Sequence, residues 1–482
     1  MKWIRVIVML CLTLEGFAGD GTVRINGKAS SFPGKKISAN IYQDFFSRYT
    51  TKLVETTISE SGEFSLNFPL ASTSEIVLKV DGVNSFLYAD PGSQYTITIA
   101  DLQEGQNKSY HNNRVECLFD TLPKLDINNL ILDFDERLDA FMAYNLRKLG
   151  KKEFKMEVDT FKRYLKKVYD GVYNPYFKDY VIYSIASIEQ IGGVNVDMVK
   201  LKALLYRDYL SSGKILYHHE KFMIFFDQYF TDVFKLADEQ EEKELYRAIN
   251  SKRSVALLDD LLRKDRLLKD EKTRQLVMIK SLAEEYHSGL YDQDNIIYML
   301  DSIEKTTVFP EHVTIARNLK DKLTRLNAGY PAPDFVLLDS KSKPYSLSDF
   351  KGKYIYLHFW ATWNTSAISE MKIMTELYKN YGQDIVFISV NMDDKASDWT
   401  AFLKANPEMK WYHLYYGNQP EIIDLYRISS LSIFYLIGPD GRMVQSPAYR
   451  PTPNGTGKTI EETFYDIHRR LHPSRRRVPG QK

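Results

Sequence analysis

The period of the apolar residues changes twice along this chain, and that change limits the possible folds more tightly than any single motif. From Gly21 to about Ile99, short alternating runs (TVRING, KKISANIY, KLVETTIS, GEFSLNF, SEIVLKV, SFLYADPGSQYTITI) are separated by turn residues. Their spacing of about eight to twelve residues predicts an antiparallel β-sandwich. From about Asp101 to Leu326 the period becomes helical, as in NLILDFDERLDAFMAYNLRKLG and EKFMIFFDQYFTDVFKLA. About eight helices are expected there, without the fixed repeat that marks a solenoid. After Gly329 the chain alternates again, now as strand and helix. Tyr354–Phe359 reads as a strand, and Ile368, Met371, Met374, Leu377, Tyr378 and Tyr381 follow at helical spacing. DIVFISV (384–390) reads as a buried parallel strand, 397–404 as a helix, SIFYLI (432–437) with RMV as a hairpin, and TIEETFYDIHRRL as a closing helix. The expected fold class is multidomain α+β: an N-terminal antiparallel β-sandwich (19–100), a central all-α domain (101–326) and a C-terminal α/β domain (327–473).

The two ends of the chain carry different signals. Lys2 and Arg5 precede the apolar run Val6–Leu14, with Gly16 and Ala18 at small-residue cleavage positions, so residues 1–18 are expected to be a signal peptide. That run is too short for a permanent span, and no later segment approaches the ~20 apolar residues a transmembrane helix needs. Cys11, behind bulky Leu10, is poorly set for lipid attachment. At the other end, residues 474–482 form a basic tail expected to be solvated. Lys+Arg 64 against Asp+Glu 63 leaves a formal charge of +1, so no global field argues for nucleic acid.

Cleavage after Ala18 removes one of the two cysteines and leaves Cys117 alone, which forbids an intramolecular disulfide. A lone cysteine of this kind reads as a small buried apolar residue or a free thiol. His218-His219-Glu220 does not predict a metal site, because adjacent helical residues point about 100° apart. Asn454–Thr459 lacks the leading glycine of a phosphate loop, since Thr452 stands at that position. Tyr206, Tyr209, Phe225, Phe226, Tyr229, Phe230 and Phe234 sit at spacings that inward helix faces require and are expected in a core. No cofactor and no metal ligand set is expected.

One junction raises a chemical question. FWATWNTSAISEM (359–371) is a strand end, a tight turn and a helix start. First-turn N–H groups and the helix dipole lower the pKa of a cysteine at such a place. Here Asn364 and Ser366 occupy it.

The words Ala332-Pro-Asp-Phe335, Leu347–Lys353, Phe359-Trp-Ala-Thr-Trp363, Glu370-Met371 and Leu436-Ile437 with Gly441 occur in the order in which they occur in the TlpA/ResA-type thiol–disulfide oxidoreductases, which the chain resembles over about residues 327–473. The resemblance implies a thioredoxin fold. The sandwich and helices ahead of it resemble the arrangement common in Bacteroidota members, which implies a periplasmic address. The resemblance also identifies what is missing. Asn364 stands at the attacking cysteine, Ala367 at the resolving cysteine and Ser432 at the cis-proline. Trp363, Asn364, Thr365, Ser366, Ala367, Glu370 and Ser432 would then be a vestigial redox site with no catalytic residue. Thiol exchange needs one thiolate to attack and a second thiol to release the mixed disulfide.

Three expectations follow for this region. Asn364 should cap the helix. Glu370 should be a helix-surface or capping carboxylate. The peptide before Ser432 should be trans, since a non-proline cis bond costs about 2.5–4 kcal/mol. The leading functional reading is an exported, redox-inactive protein that binds an envelope protein or peptide. The alternatives are a thiol oxidoreductase using Cys117, and an enzyme of another class with Ser366 or Thr365 as nucleophile, for which His358 offers no evident acidic partner.

Overall fold

The computed structural model describes residues 21–100, 113–193, 198–235, 239–417, 419–428, 430–453 and 457–473. The expected signal peptide, the basic tail and residues 454–456 of the Asn454–Thr459 loop lie outside them.

The first domain is a sandwich of two sheets. Strands β1 (Thr22–Lys28), β4 (Glu63–Pro69), β7 (Gln94–Ile99) and β9 (Cys117–Phe119) form one sheet, in the order β4-β1-β7-β9. The other has the order β3-β2-β5-β6-β8, from β2 (Lys36–Tyr42), β3 (Thr50–Thr57), β5 (Ser74–Val80), β6 (Val83–Ala89) and β8 (Asn113–Arg114). Alternation explains the packing: in β4, Phe64, Leu66 and Phe68 turn inward while Glu63, Ser65 and Asn67 face solvent. The expectation of an antiparallel sandwich needs one correction. β1 pairs with β7, and β6 with β8, in parallel. The chain leaves the first sheet after β4, makes the β5–β6 hairpin in the second sheet and returns beside β1 in the same direction. β9 pairs with β7, so chain beyond residue 100, read from sequence as the start of the helical region, completes the sandwich.

Ten α-helices follow among the described residues, rather than eight: α1 (Ile127–Asn145), α2 (Lys152–Val168), α3 (Pro175–Gly192), α4 (Met198–Leu205), α5 (Glu220–Tyr229), α6 (Glu239–Tyr246), α7 (Val255–Leu262), α8 (Glu271–Glu284), α9 (Gln293–Thr306) and α10 (Pro310–Thr324). Helices α4, α6 and α7 have eight residues each, too short to show a full apolar stripe. Side-chain caps mark many starts, including Asp126, Asn174, Ser254, Asp270 and Asp292. His219 is buried and caps α5, accepting from the Phe222 N–H. Phe225, Phe226, Tyr229, Phe230 and Phe234 are core residues, and Tyr206 and Tyr209 pack at the core's edge.

The last domain is a seven-stranded sheet of order β11-β10-β14-β13-β12-β15-β16. It comprises β10 (Val336–Asp339), β11 (Pro344–Ser346), β12 (Tyr354–Trp360), β13 (Ile385–Asn391), β14 (Tyr412–Tyr415), β15 (Ile433–Ile437) and β16 (Met443–Gln445). Helices α11 (Thr365–Tyr381), α12 (Ala396–Ala405), α13 (Pro420–Leu425) and α14 (Ile460–Leu471) connect or cover it. β12, β13 and β14 are parallel and β15 runs against β12, the order expected of a thioredoxin fold. β13 is buried at every position because both its faces are covered. Tyr356 and Phe387 pack with Met371 and Met374 of α11 and Phe464 of α14, whereas Leu357, Phe359 and Ile388 pack on the opposite side with Ile422 and Ile423. β14 and α13 had no expectation in the sequence: their runs of four and six residues are too short for a period to declare itself. Among the described residues, no helix is long and apolar enough to cross a membrane.

Candidate functional site

β12 ends at Trp360, and the turn that follows is tied to the neighbouring strand end. Met392 N–H donates to Trp360 O at 2.8 Å, and Thr362 N–H donates to Asp393 Oδ1 at 2.9 Å. Asp393 is itself buried and locked to Asn391: the Asn391 amide donates to Oδ2 at 3.0 Å, and Asp393 N–H donates back to Asn391 Oδ1 at 3.0 Å. This rigid corner delivers the chain to the start of α11.

Asn364 caps that start as expected. Its Oδ1 accepts from Ala367 N–H at 3.0 Å, satisfying one of the orphan donors of the first turn. Its Nδ2 also donates to the Leu431 carbonyl at 2.8 Å, so both ends of the amide are engaged. Trp363, Thr365 and Ser366 are exposed around it, and Ala367 is buried beneath. Among the described residues, no histidine hydrogen bonds to Ser366 or Thr365.

Two expectations fail here. The peptide between Leu431 and Ser432 is cis, not trans. Both flanking carbonyls are held: Leu431 O by Asn364, and Ser432 O by Arg450 Nη2 at 3.0 Å. Ser432 Oγ, also buried, lies 2.5 Å from His358 Nε2. Glu370 is not a surface carboxylate. It is 2 % exposed, and its two oxygens take the Thr452 N–H at 3.0 Å and the Thr452 hydroxyl at 2.6 Å. Glu370 follows Ala367 by three residues and precedes Met374 by four, so it lies on the inward stripe of α11, where an ionisable group must find partners.

His358, at the end of β12, is fully buried and lies flat against Phe434, with ring centroids 4.1 Å apart. Burial drives its pKa well below the usual imidazole value, with further contributions from His413 and Arg450, so the ring is neutral. The sequence offered it no acidic partner, and the fold gives it a serine. Arg450, Thr452 and Asp393, which complete this polar floor, were not foreseen. The only sequence signal for them was Asp393, a carboxylate just beyond a fully apolar strand.

Cys117 lies in β9 of the sandwich, in a different domain from this junction. It is partly covered, and burial pushes its thiol up to about 12, so the thiolate is disfavoured.

A central parallel strand, a tight turn, a capped helix and an antiparallel hairpin whose lead-in residue Leu431 is tied to that cap define a thioredoxin-like domain. A family described as thioredoxin-like matches residues 352–443. The chain is 31% identical over 149 residues to the thiol–disulfide oxidoreductase ResA of Bacillus subtilis, covering 31% of this chain and 78% of that protein. It is 32% identical over 133 residues to ResA of Geobacillus kaustophilus, covering 27% and 75%. Among solved structures, the thioredoxin domain of a thiol–disulfide oxidoreductase from Bacteroides vulgatus aligns at 20% identity and a TM-score of 0.25, covering 30% of this chain and 97% of that one. The chain belongs to the thioredoxin-like, ResA/TlpA-type thiol–disulfide oxidoreductase family.

Proposed function

We propose that this protein is an exported, periplasmic member of the family that has given up thiol exchange and acts by binding a protein or peptide of the cell envelope. The observation that carries this reading is Asn364. At the helix start where exchange requires a thiolate, a neutral amide accepts from Ala367 N–H and donates to Leu431 O. Ala367, at the second thiol position, is a buried methyl. The remaining cysteine of the exported chain, Cys117, has its thiol pushed up to about 12 by burial, which weighs against an oxidoreductase built on it. Export rests on the charged and apolar segment 1–18, with cleavage after Ala18. The three-domain division, with the thioredoxin-like domain at 327–473, belongs to the same reading. Exposed Trp363, Thr365 and Ser366, together with Asn364, Ala367, Glu370 and Ser432, are then a vestigial redox site whose rim is free to serve as a contact face.

The test uses the mature chain purified from a periplasmic fraction. Intact mass should give a chain beginning at Gly19, with one thiol titrating after denaturation and none reacting rapidly in the folded state. Insulin disulfide reduction should stay at the uncatalysed rate. Turnover that disappears in Cys117→Ser would overturn the proposal.

A further inference from the structure

At the pole of the last sheet opposite Asn364, the chain leaves α11 and enters β13 through Asp384. The carboxylate is largely buried, with 9 % of its side chain exposed, and its two oxygens point to two different histidines. Asp384 Oδ2 lies 2.6 Å from His468 Nδ1, and Oδ1 lies 2.8 Å from His472 Nε2. Phe464 and Ile467 anchor α14 in the core, which fixes the side of the helix facing β13. His468 lies in the last turn of α14 and His472 caps its end, with its N–H donating to His468 O at 2.9 Å, and the two ring centroids are 4.7 Å apart. Taking one nitrogen from each ring and a carboxylate oxygen, the three atoms lie within 4.8 Å of one another.

The geometry points to a divalent transition-metal site formed by Asp384, His468 and His472. Two imidazole nitrogens and one carboxylate oxygen are a borderline donor set that suits Zn²⁺, Ni²⁺ or Cu²⁺ and is poor for Mg²⁺ and Ca²⁺, which prefer oxygen shells. The atoms are now at hydrogen-bond separation. An ion with bonds of about 2.0–2.2 Å would take the place of the hydrogens between these atoms and spread the ligand atoms slightly; a neutral ring then carries its proton on its other nitrogen, and an imidazolium gives one proton to solvent. The arrangement is one-sided. Asp384 is the more covered anchor, whereas the His468 and His472 side chains are 45% and 58% exposed, leaving the outer face open to water as a fourth ligand. The ion would tie the last helix to the start of a central strand.

His218-His219-Glu220 supplies the contrast. His219 is consumed as the cap of α5 and by the Tyr176 carbonyl, at 3.0 Å from its Nε2, and contributes no ligand set.

The test is calorimetric titration of the chelator-stripped mature chain with ZnCl₂, paired with thermal unfolding. The expected result is one Zn²⁺ per chain, a rise in Tm that grows with free Zn²⁺, and no rise with Ca²⁺ or Mg²⁺. His472→Gln and Asp384→Asn should each weaken binding ~tenfold or more and shrink the Tm shift, while His218→Gln should leave both unchanged. His472 lies at an exposed helix end, so its variant should keep the wild-type circular dichroism. Absence of Zn²⁺ binding, or binding that survives both His472→Gln and Asp384→Asn, would show that the trio is a hydrogen-bonded clamp and overturn the site.

Discussion

His358 Nε2, on β12, and Ser432 Oγ, on the residue just before the antiparallel strand β15, are 2.5 Å apart, and both side chains are buried. The contact pairs two positions that look unrelated in the chain. A serine at 432 gives a buried neutral imidazole a hydroxyl partner. Among the described residues His358 Nδ1 has no hydrogen-bond partner, so Nε2 carries the ring's polar satisfaction there.

Ser432→Ala should therefore destabilise the protein by about 1–3 kcal/mol, the cost of leaving a buried polar group unpaired. Pairing it with His358→Phe should recover part of that loss, because the second change removes the orphaned nitrogen. Urea unfolding of the four proteins in the cycle measures the coupling. Strict additivity of the two changes would contradict it.

Asn364 makes a sharper test of the helix start than a cysteine does. Asn364→Ala loses both the cap and the tie to Leu431 and should cost about 1–2 kcal/mol. Asn364→Asp keeps the acceptor toward Ala367 N–H but sets an oxygen against the Leu431 carbonyl. It should therefore be less stable than expected for an aspartate, which is otherwise among the best N-caps. Asn364→Cys with Ala367→Cys should form a disulfide, and its reduced form should be less stable than wild type by urea unfolding, because the bonds to Ala367 N–H and Leu431 O are both lost.

Acid should weaken the fold through buried histidines. His312 is fully buried between the Tyr217 hydroxyl at 2.6 Å and Gln275 Oε1 at 2.7 Å, and its pKa is lowered to about 4 by burial, with Lys272 adding to the effect. The unfolded chain takes up a proton near pH ~6.5 while the folded chain does not, so stability is lost as pH falls from there toward 4. Urea midpoints at pH 7, 6 and 5 should decline, and His312→Gln should flatten the slope. A variant with an unchanged slope would remove His312 from the account.

Glu75 should act with the opposite sign. It is buried in β5, and burial first, then the Glu220 charge, raises its pKa to about 8. The folded state holds a proton that the unfolded chain releases near pH ~4.5, so this contribution is present in acid and lost as pH rises through 8. Glu75→Gln should stabilise the protein at pH 8 by about 1–3 kcal/mol and do little at pH 5. A thermal-unfolding pH series on both proteins checks it.

What sequence alone determined is local in origin. The sandwich, the helical region and the thioredoxin order were visible because alternation and helical spacing are written in neighbouring residues. Asn364 was identifiable as a cap because capping involves residues three apart. Tertiary structure decided everything that depends on long separations. Glu370 left the surface because Thr452, on another segment, meets it at the inward stripe of α11. Ser432 took the cis geometry in a setting built by Asn364 and Arg450. Asp384 met His468 and His472 only because α14 folds back over the start of β13. Such contacts join residues tens of positions apart, and the free energy that selects them comes from desolvated polar atoms finding partners, a condition no local pattern of residues records.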